Sequence, residues 1–323
     1  MDRRTFLKAI GGSFVAVPAQ ASAQRQAKLP RLGILLYSSP QNEPVALFVE
    51  ELAKLGYVDG RTIAIDYRGA DGKPERLPDA AAELVRLMPD VIYALGGDVA
   101  PFAQRATATI PIVAWVSNDP VESGLVPSVA RPGANITGIT LVHDDLAGKT
   151  LALLKEAVPS ITRVGVIWNP DHADPEYRET RRAAAALGIR LQPLEVRRAS
   201  DFDGAFKLAL AEQIEGLIVV PSRLMSLQRH QIAEFAARNR IVLAGGWGEW
   251  TKEGALVTYG PNTADMTRRV ALYVDKILKG AKPADLPMER PTRFELAVNV
   301  KAARTLGIAI PQSLLLRADE IIE

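Results

Sequence analysis

Apolar residues in this chain fall into short unbroken runs that stop abruptly on small polar residues. Segments of helical period separate the runs. The clearest run is LGILLYSS, residues 32–39. A continuous apolar stretch closed by Ser, Asn or Pro is the pattern of a central parallel strand that empties into a cleft. The same design returns 132 positions later as VGVIWNPD, residues 164–171, and Arg31 and Arg163 precede the two copies. After the first copy, residues 44–55 carry apolar positions at helical spacing and Gly56 closes them. RTIAIDYRGA (61–70), DVIYALGGD (90–98) and IPIVAWVSND (110–119) read as strands, with helices at 75–87 and 99–108 between them. Strand and helix alternating in this way predict a parallel sheet with right-handed crossovers.

The order then starts again. Strands are predicted at 163–171, 189–197, 216–223 and 240–250, with helices at 175–187, 201–212 and 226–238. An internal repeat of some 130 residues predicts a duplicated architecture. The stretch 119–140 breaks the rhythm and reads as a short helix followed by an extended connector, the first crossing between lobes. A helix at 145–157 precedes the second series, and a strand at 255–262 and a long helix at 263–279 follow it. Pro-rich residues 281–299 read as a return crossing, ahead of a short helix at 300–306 and Gly307. The expected fold is α/β: two similar lobes, each a parallel sheet flanked by helices, joined by multiple hinge crossings. Residues 30–141 plus about 256–285 would form the N-terminal lobe; about 142–255 plus 286–323 would form the C-terminal lobe.

The start of the chain changes where the protein is expected to work. Arg3-Arg4, then Phe6-Leu7-Lys8, a mild apolar run and Ala21-Ser22-Ala23 follow the plan of a signal peptide over residues 1–23. The Arg pair resembles the twin-arginine export motif. No Cys follows it, so the expected product is periplasmic, without a lipid anchor. Without those residues the chain carries 36 basic and 36 acidic side chains, which gives no support for nucleic-acid binding. The absence of cysteine excludes disulfides, thiolate metal sites and thiol catalysis.

Ligands of open α/β sheets sit beyond the carboxyl ends of the strands. Those ends are Ser38-Ser39, Gly96-Gly97-Asp98, Ser117-Asn118-Asp119, Asn169-Pro170-Asp171, Pro221-Ser222-Arg223 and Gly245-Gly246-Trp247. Asp119 would pair with a ligand ammonium or cap the helix after it. Ser38 and Ser39 would bind a carboxylate or hydroxyl, or act as caps. Arg223 would meet an acidic ligand or stand in a solvated loop. Trp115, Trp168, Trp247 and Trp250 lie at or near strand ends, where a flat ring stacks on a ligand or seals a sheet edge. His172, among Asp171, Asp174 and Glu176, reads as a polar surface turn rather than a metal site. No G-x-S-x-G elbow, Walker-type loop or G-x-G-x-x-G after the first strand is present. No metal and no cofactor are expected.

ELAKLGYVDGRTIAIDYRGADGKPERLPDAAAELV (51–85), DPVESGLVPSVARPGANITGIT (119–140) and ILKGAKPADLPMERPTRFELAVNVKAARTLGIAIPQSLLLRADEII (277–322) resemble the ABC-transporter substrate-binding protein family of the periplasmic-binding type I fold. Its better-known members include tryptophan-binding proteins. The resemblance implies a binding role rather than catalysis, with hinge closure over a small-molecule ligand. It also implies an ABC permease in the inner membrane as partner, no nucleic acid, and a monomer. By position it places ligand contacts at Ser38, Ser39, Gly97, Asp98, Asn118, Asp119, Asn169, Ser222 and Trp247. An amino acid or aromatic compound is the expected ligand. A periplasmic sensor for a membrane receptor and an exported α/β enzyme are the alternatives.

Overall fold

A computed structural model describes residues 29–41, 45–141, 146–172 and 176–323. The expected signal peptide and His143 lie outside them. The chain opens with β1 (Arg31–Leu36), α1 (Ala46–Lys54), β2 (Ala64–Gly69), α2 (Leu77–Arg86), β3 (Val91–Leu95), α3 (Ala100–Ala106), β4 (Ile112–Val116) and β5 (Ile136–Thr140). These strands form one parallel sheet in the order β2-β1-β3-β4-β5. The second series holds α4 (Leu146–Ala157), β6 (Arg163–Trp168), α5 (Glu176–Ala186), β7 (Arg190–Glu195), α6 (Phe202–Ala211), β8 (Gly216–Val219), α7 (Arg223–Leu227), α8 (Arg229–Arg238), β9 (Val242–Gly245) and α9 (Glu249–Lys252). The chain ends with β10 (Val257–Pro261), α10 (Thr263–Leu278), β11 (Phe294–Asn299), α11 (Val300–Leu306), α12 (Gln312–Leu315) and β12 (Glu320–Ile322).

The second sheet runs β12-β11-β10-β9-β8-β6-β7. It is parallel except where β11 returns antiparallel to β10. The central strands β1, β3 and β4 are buried along their whole length apart from Arg31, as their unbroken apolar sequence requires. Each sheet is covered on both faces. In the first, Leu32, Ile34 and Leu36 face α1 and α10, while Leu35 faces α2 and α3. In the second, Val164 and Val166 face α4 and α5, while Ile167 faces α6 and α8.

Three differences from the sequence expectation concern the hinge. Residues 120–135 form turns rather than a short helix, and Ile136–Thr140 is a fifth strand of the first sheet. Pro120, Gly124, Pro127, Pro132 and Gly133 interrupt any helical turn, and the β-branched ITGIT then pairs with β4. The first crossing therefore follows β5 instead of preceding it. Strand β10 pairs in the second sheet, yet α10 packs on the first, so the second crossing falls at Asn262 rather than near 256. Residues up to Glu289 stay with the first sheet: Glu289 bridges Ile139, and Met288 lies in its core. The third crossing thus lies between Glu289 and Phe294, later than the expected 285. The helix expected over 226–238 is two helices, because Ser222 caps an earlier start, its Oγ accepting from Met225 N at 3.4 Å.

Candidate functional site

In both sheets the order of the parallel strands reverses at the first strand. In the first, β2 and β3 flank β1; in the second, β7 and β8 flank β6. Parallel strands bring their carboxyl ends to one edge, and the reversal of connection opens a crevice there. The loops after β1 and β3 therefore face the crevice of one lobe, and those after β6 and β8 that of the other.

Side chains join these two edges. Arg223, at the start of α7, places Nε 2.5 Å from Asp98 Oδ2 and donates from Nη2 to the Leu95 carbonyl at 2.9 Å. Its guanidinium also lies 4.8 Å from the centroid of the Tyr37 ring. Ser117 Oγ stands 3.4 Å from His172 Nε2. Farther out, Arg178 of α5 pairs with Glu122 at 3.2 Å. Trp247 is half-buried and packs against the cores of both lobes. The carboxyl edges of the two sheets thus meet face to face.

Glycine makes the inner wall of this meeting possible. Gly96 has φ +123°, and a Cβ there would fall 2.2 Å from Arg223 Nη2. A Cβ on Gly97 would fall 2.0 Å from Asn118 Oδ1. Asn118 is 8% exposed, and its Oδ1 is buried without a hydrogen-bond partner. Trp168 Nε1 is likewise buried without one, although its ring stacks on Tyr177 at 4.0 Å. Burial between the lobes pushes the His172 imidazole below its ordinary value, against the pull of the nearby Asp98 carboxylate.

The nine residues expected at the site occupy it unequally. Asp98 and Trp247 meet the opposite lobe directly, and Gly97 and Asn118 are packed against each other behind them. Ser38 and Ser39 follow β1 at the crevice and are half-buried. Asp119, Asn169 and Ser222 are engaged locally. Asp119 Oδ1 accepts from Val121 N and Glu122 N at 2.8 and 2.9 Å. Asn169 Oδ1 accepts from Asp171 N at 2.9 Å, and the Ser222 hydroxyl caps α7. Trp115 and Trp250 are core residues, 8% and 1% exposed. Arg223 is not a solvated loop residue, and His172 is not on an open surface turn; each faces the other lobe. No group of three or more potential metal ligands forms among the described residues. Grooves of about 560 and 510 Å³ lie on outer flanks of the second lobe and include none of the nine residues.

The profile of the ABC transporter substrate binding protein family matches residues 41–322. The chain belongs to that family. A tyrosine-binding protein of Clostridioides difficile is 27% identical to this chain over 264 residues, 81% of this chain and 75% of the relative. A conserved domain protein of Vibrio cholerae shares 26% identity and the fold, at a TM-score of 0.83 over 91% of this chain and 100% of that one. An ABC domain from Streptococcus pneumonia solved in complex with L-Trp gives a TM-score of 0.82 at 21% identity, over 91% and 100% of the two chains. Among the described residues, no helix of this substrate-binding protein is long and apolar enough to cross a membrane.

Proposed function

We propose that this chain is the binding component of an ABC import system, exported to the periplasm as a monomer. Its two lobes close over a small organic ligand, an amino acid or an aromatic compound, and release it to a membrane permease unchanged. The observation that carries this reading is the Asn118 amide. Its Oδ1 is buried at the meeting edge of the lobes and has no hydrogen-bond partner. Such an acceptor costs free energy until a donor reaches it, and an N–H or O–H of a ligand would supply that donor. Ser38 and Ser39 stand near the same crevice, and the Trp247 ring offers a flat wall between the lobes. The names of the relatives point the same way, since one binds tyrosine and another was solved with L-Trp. The Arg3-Arg4 leader supports export.

A ligand that binds only the folded chain raises its melting temperature by mass action. The test is a melting screen of purified protein against L-amino acids, aromatic compounds and short organic acids. L-Tyrosine or L-tryptophan is expected to raise the transition and to be recovered intact by mass spectrometry. No rise with any of these classes would overturn the ligand assignment; steady conversion of a hit would overturn binding without turnover.

A further inference from the structure

Arg223 was a candidate for holding an acidic ligand. Its contacts say otherwise. The guanidinium leaves the second lobe and spends its donors on the first: the Asp98 carboxylate at 2.5 Å and the Leu95 carbonyl at 2.9 Å. The Tyr37 ring covers one of its faces at 4.8 Å. Tyr37 and Asp98 sit on the loops after β1 and β3 and Leu95 ends β3, all at the crevice of the first lobe. Gly96 provides the space, because any Cβ there would collide with Nη2.

We propose that Arg223 is a positioning residue that latches the lobes together through protein groups alone, rather than a ligand contact. The latch rests on the two-lobe binding reading given above and deepens it. An exposed ion pair by itself contributes little. Here the charge pair is joined by a bond to a main-chain carbonyl at a strand end and by a cation–ring contact, and all of them are lost together when the lobes part. The latch therefore biases the lobe equilibrium toward closure before any ligand arrives. A ligand entering such a pre-closed population gives up less of its binding energy to move the lobes.

The chain has no cysteine, so two introduced thiols are the only labelling sites. Asp79→Cys in α2 and Lys207→Cys in α6 are both exposed, one on each lobe. Spin labels at these positions report the inter-lobe distance by double electron–electron resonance in the absence of ligand. Wild type is expected to show a majority population at the shorter distance. Arg223→Ala and Asp98→Ala should each move most of that population to the longer distance. The double variant should move it no further, because either change alone removes the pair. Asp98→Asn, which keeps an acceptor oxygen and loses the charge, should fall between. A wild type found wholly at the longer distance would overturn the latch, and so would an Arg223→Ala distribution that matches wild type. The Asp98 side chain is exposed and lies outside α7, so its variants read the latch even where Arg223→Ala disturbs α7. The distances are read without ligand, so an empty melting screen would count against the ligand assignment and leave this measurement intact.

Discussion

Asn118 and Gly97 show how a single missing carbon shapes the crevice. The glycine yields the volume that the amide oxygen fills, and the oxygen is left without a donor inside the protein. Gly97→Ala would force the buried amide aside and is expected to destabilise the fold by about 1–3 kcal/mol, the usual cost of overpacking. Gly260→Ala is expected to cost more. A Cβ there would lie 1.4 Å from the Gly246 carbonyl oxygen, and main chain at a strand end cannot step aside as a side chain can. Urea denaturation of the two variants side by side checks the ranking. The sequence made these positions visible as strand ends but gave no sign of which were already engaged. Asp119, Asn169 and Ser222 have the residue types that bind ligands and also those that close turns. Only coordinates separate the two uses. Arg223 and His172 were misread for a different reason: their partners lie 128 and 55 positions away, on the other lobe.

Among the elements, α10 carries the most weight for the first lobe. Asn262 caps it, accepting from Asp265 N at 2.6 Å, and Met266, Val270, Tyr273, Val274 and Ile277 lie against the first sheet. The single Tyr273 hydroxyl proton is shared between Pro287 O at 2.6 Å and Glu289 Oε1 at 2.9 Å, and Arg269 pairs with Glu289 at 2.9 Å. The helix thus holds the third crossing in place as well as covering the core. Met266→Ala is expected to lower stability by about 2–5 kcal/mol. Unfolding followed by denaturant midpoint checks it, and an effect below that range would mean that α10 contributes little to the first lobe. Helix α10 was legible in its apolar spacing, and so were Gly280 after it and the pair α11 and Gly307. Strand β5 was not, because five residues behind a Pro- and Gly-rich stretch carry no period long enough to read.

At the scale of the molecule, the meeting of the lobes should be sensitive to pH. Burial between them lowers the His172 imidazole from its ordinary 6.5. The folded state therefore binds a proton less readily than the unfolded one. Stability from this group is complete above about 6.5 and falls as pH drops from there toward the lowered value. The carboxylates held low, Glu51, Asp201 and Glu215, lose their contributions only at more acid pH, below ordinary values of 4.5 and 3.8. Melting temperature is expected to decline between pH 7 and pH 5, on the order of the window set by an ordinary histidine. His172→Gln should flatten that decline, and an unaltered slope would remove His172 from the account. The duplicated plan behind this meeting was plain in the repeated strands, whereas the exact crossing points depended on which sheet each short strand joined.

The second crossing has a consequence for synthesis. Strand β10 finishes the second sheet's parallel run, and one residue later the chain is on its way back to cover the first. During translation, the apolar face formed by Tyr93, Val113, Trp115 and Ile139 therefore waits for Met266 to Ile277 to leave the ribosome. The first sheet stays incomplete until α10 has been made, and a nascent chain stalled before α10 would offer that face to chaperones.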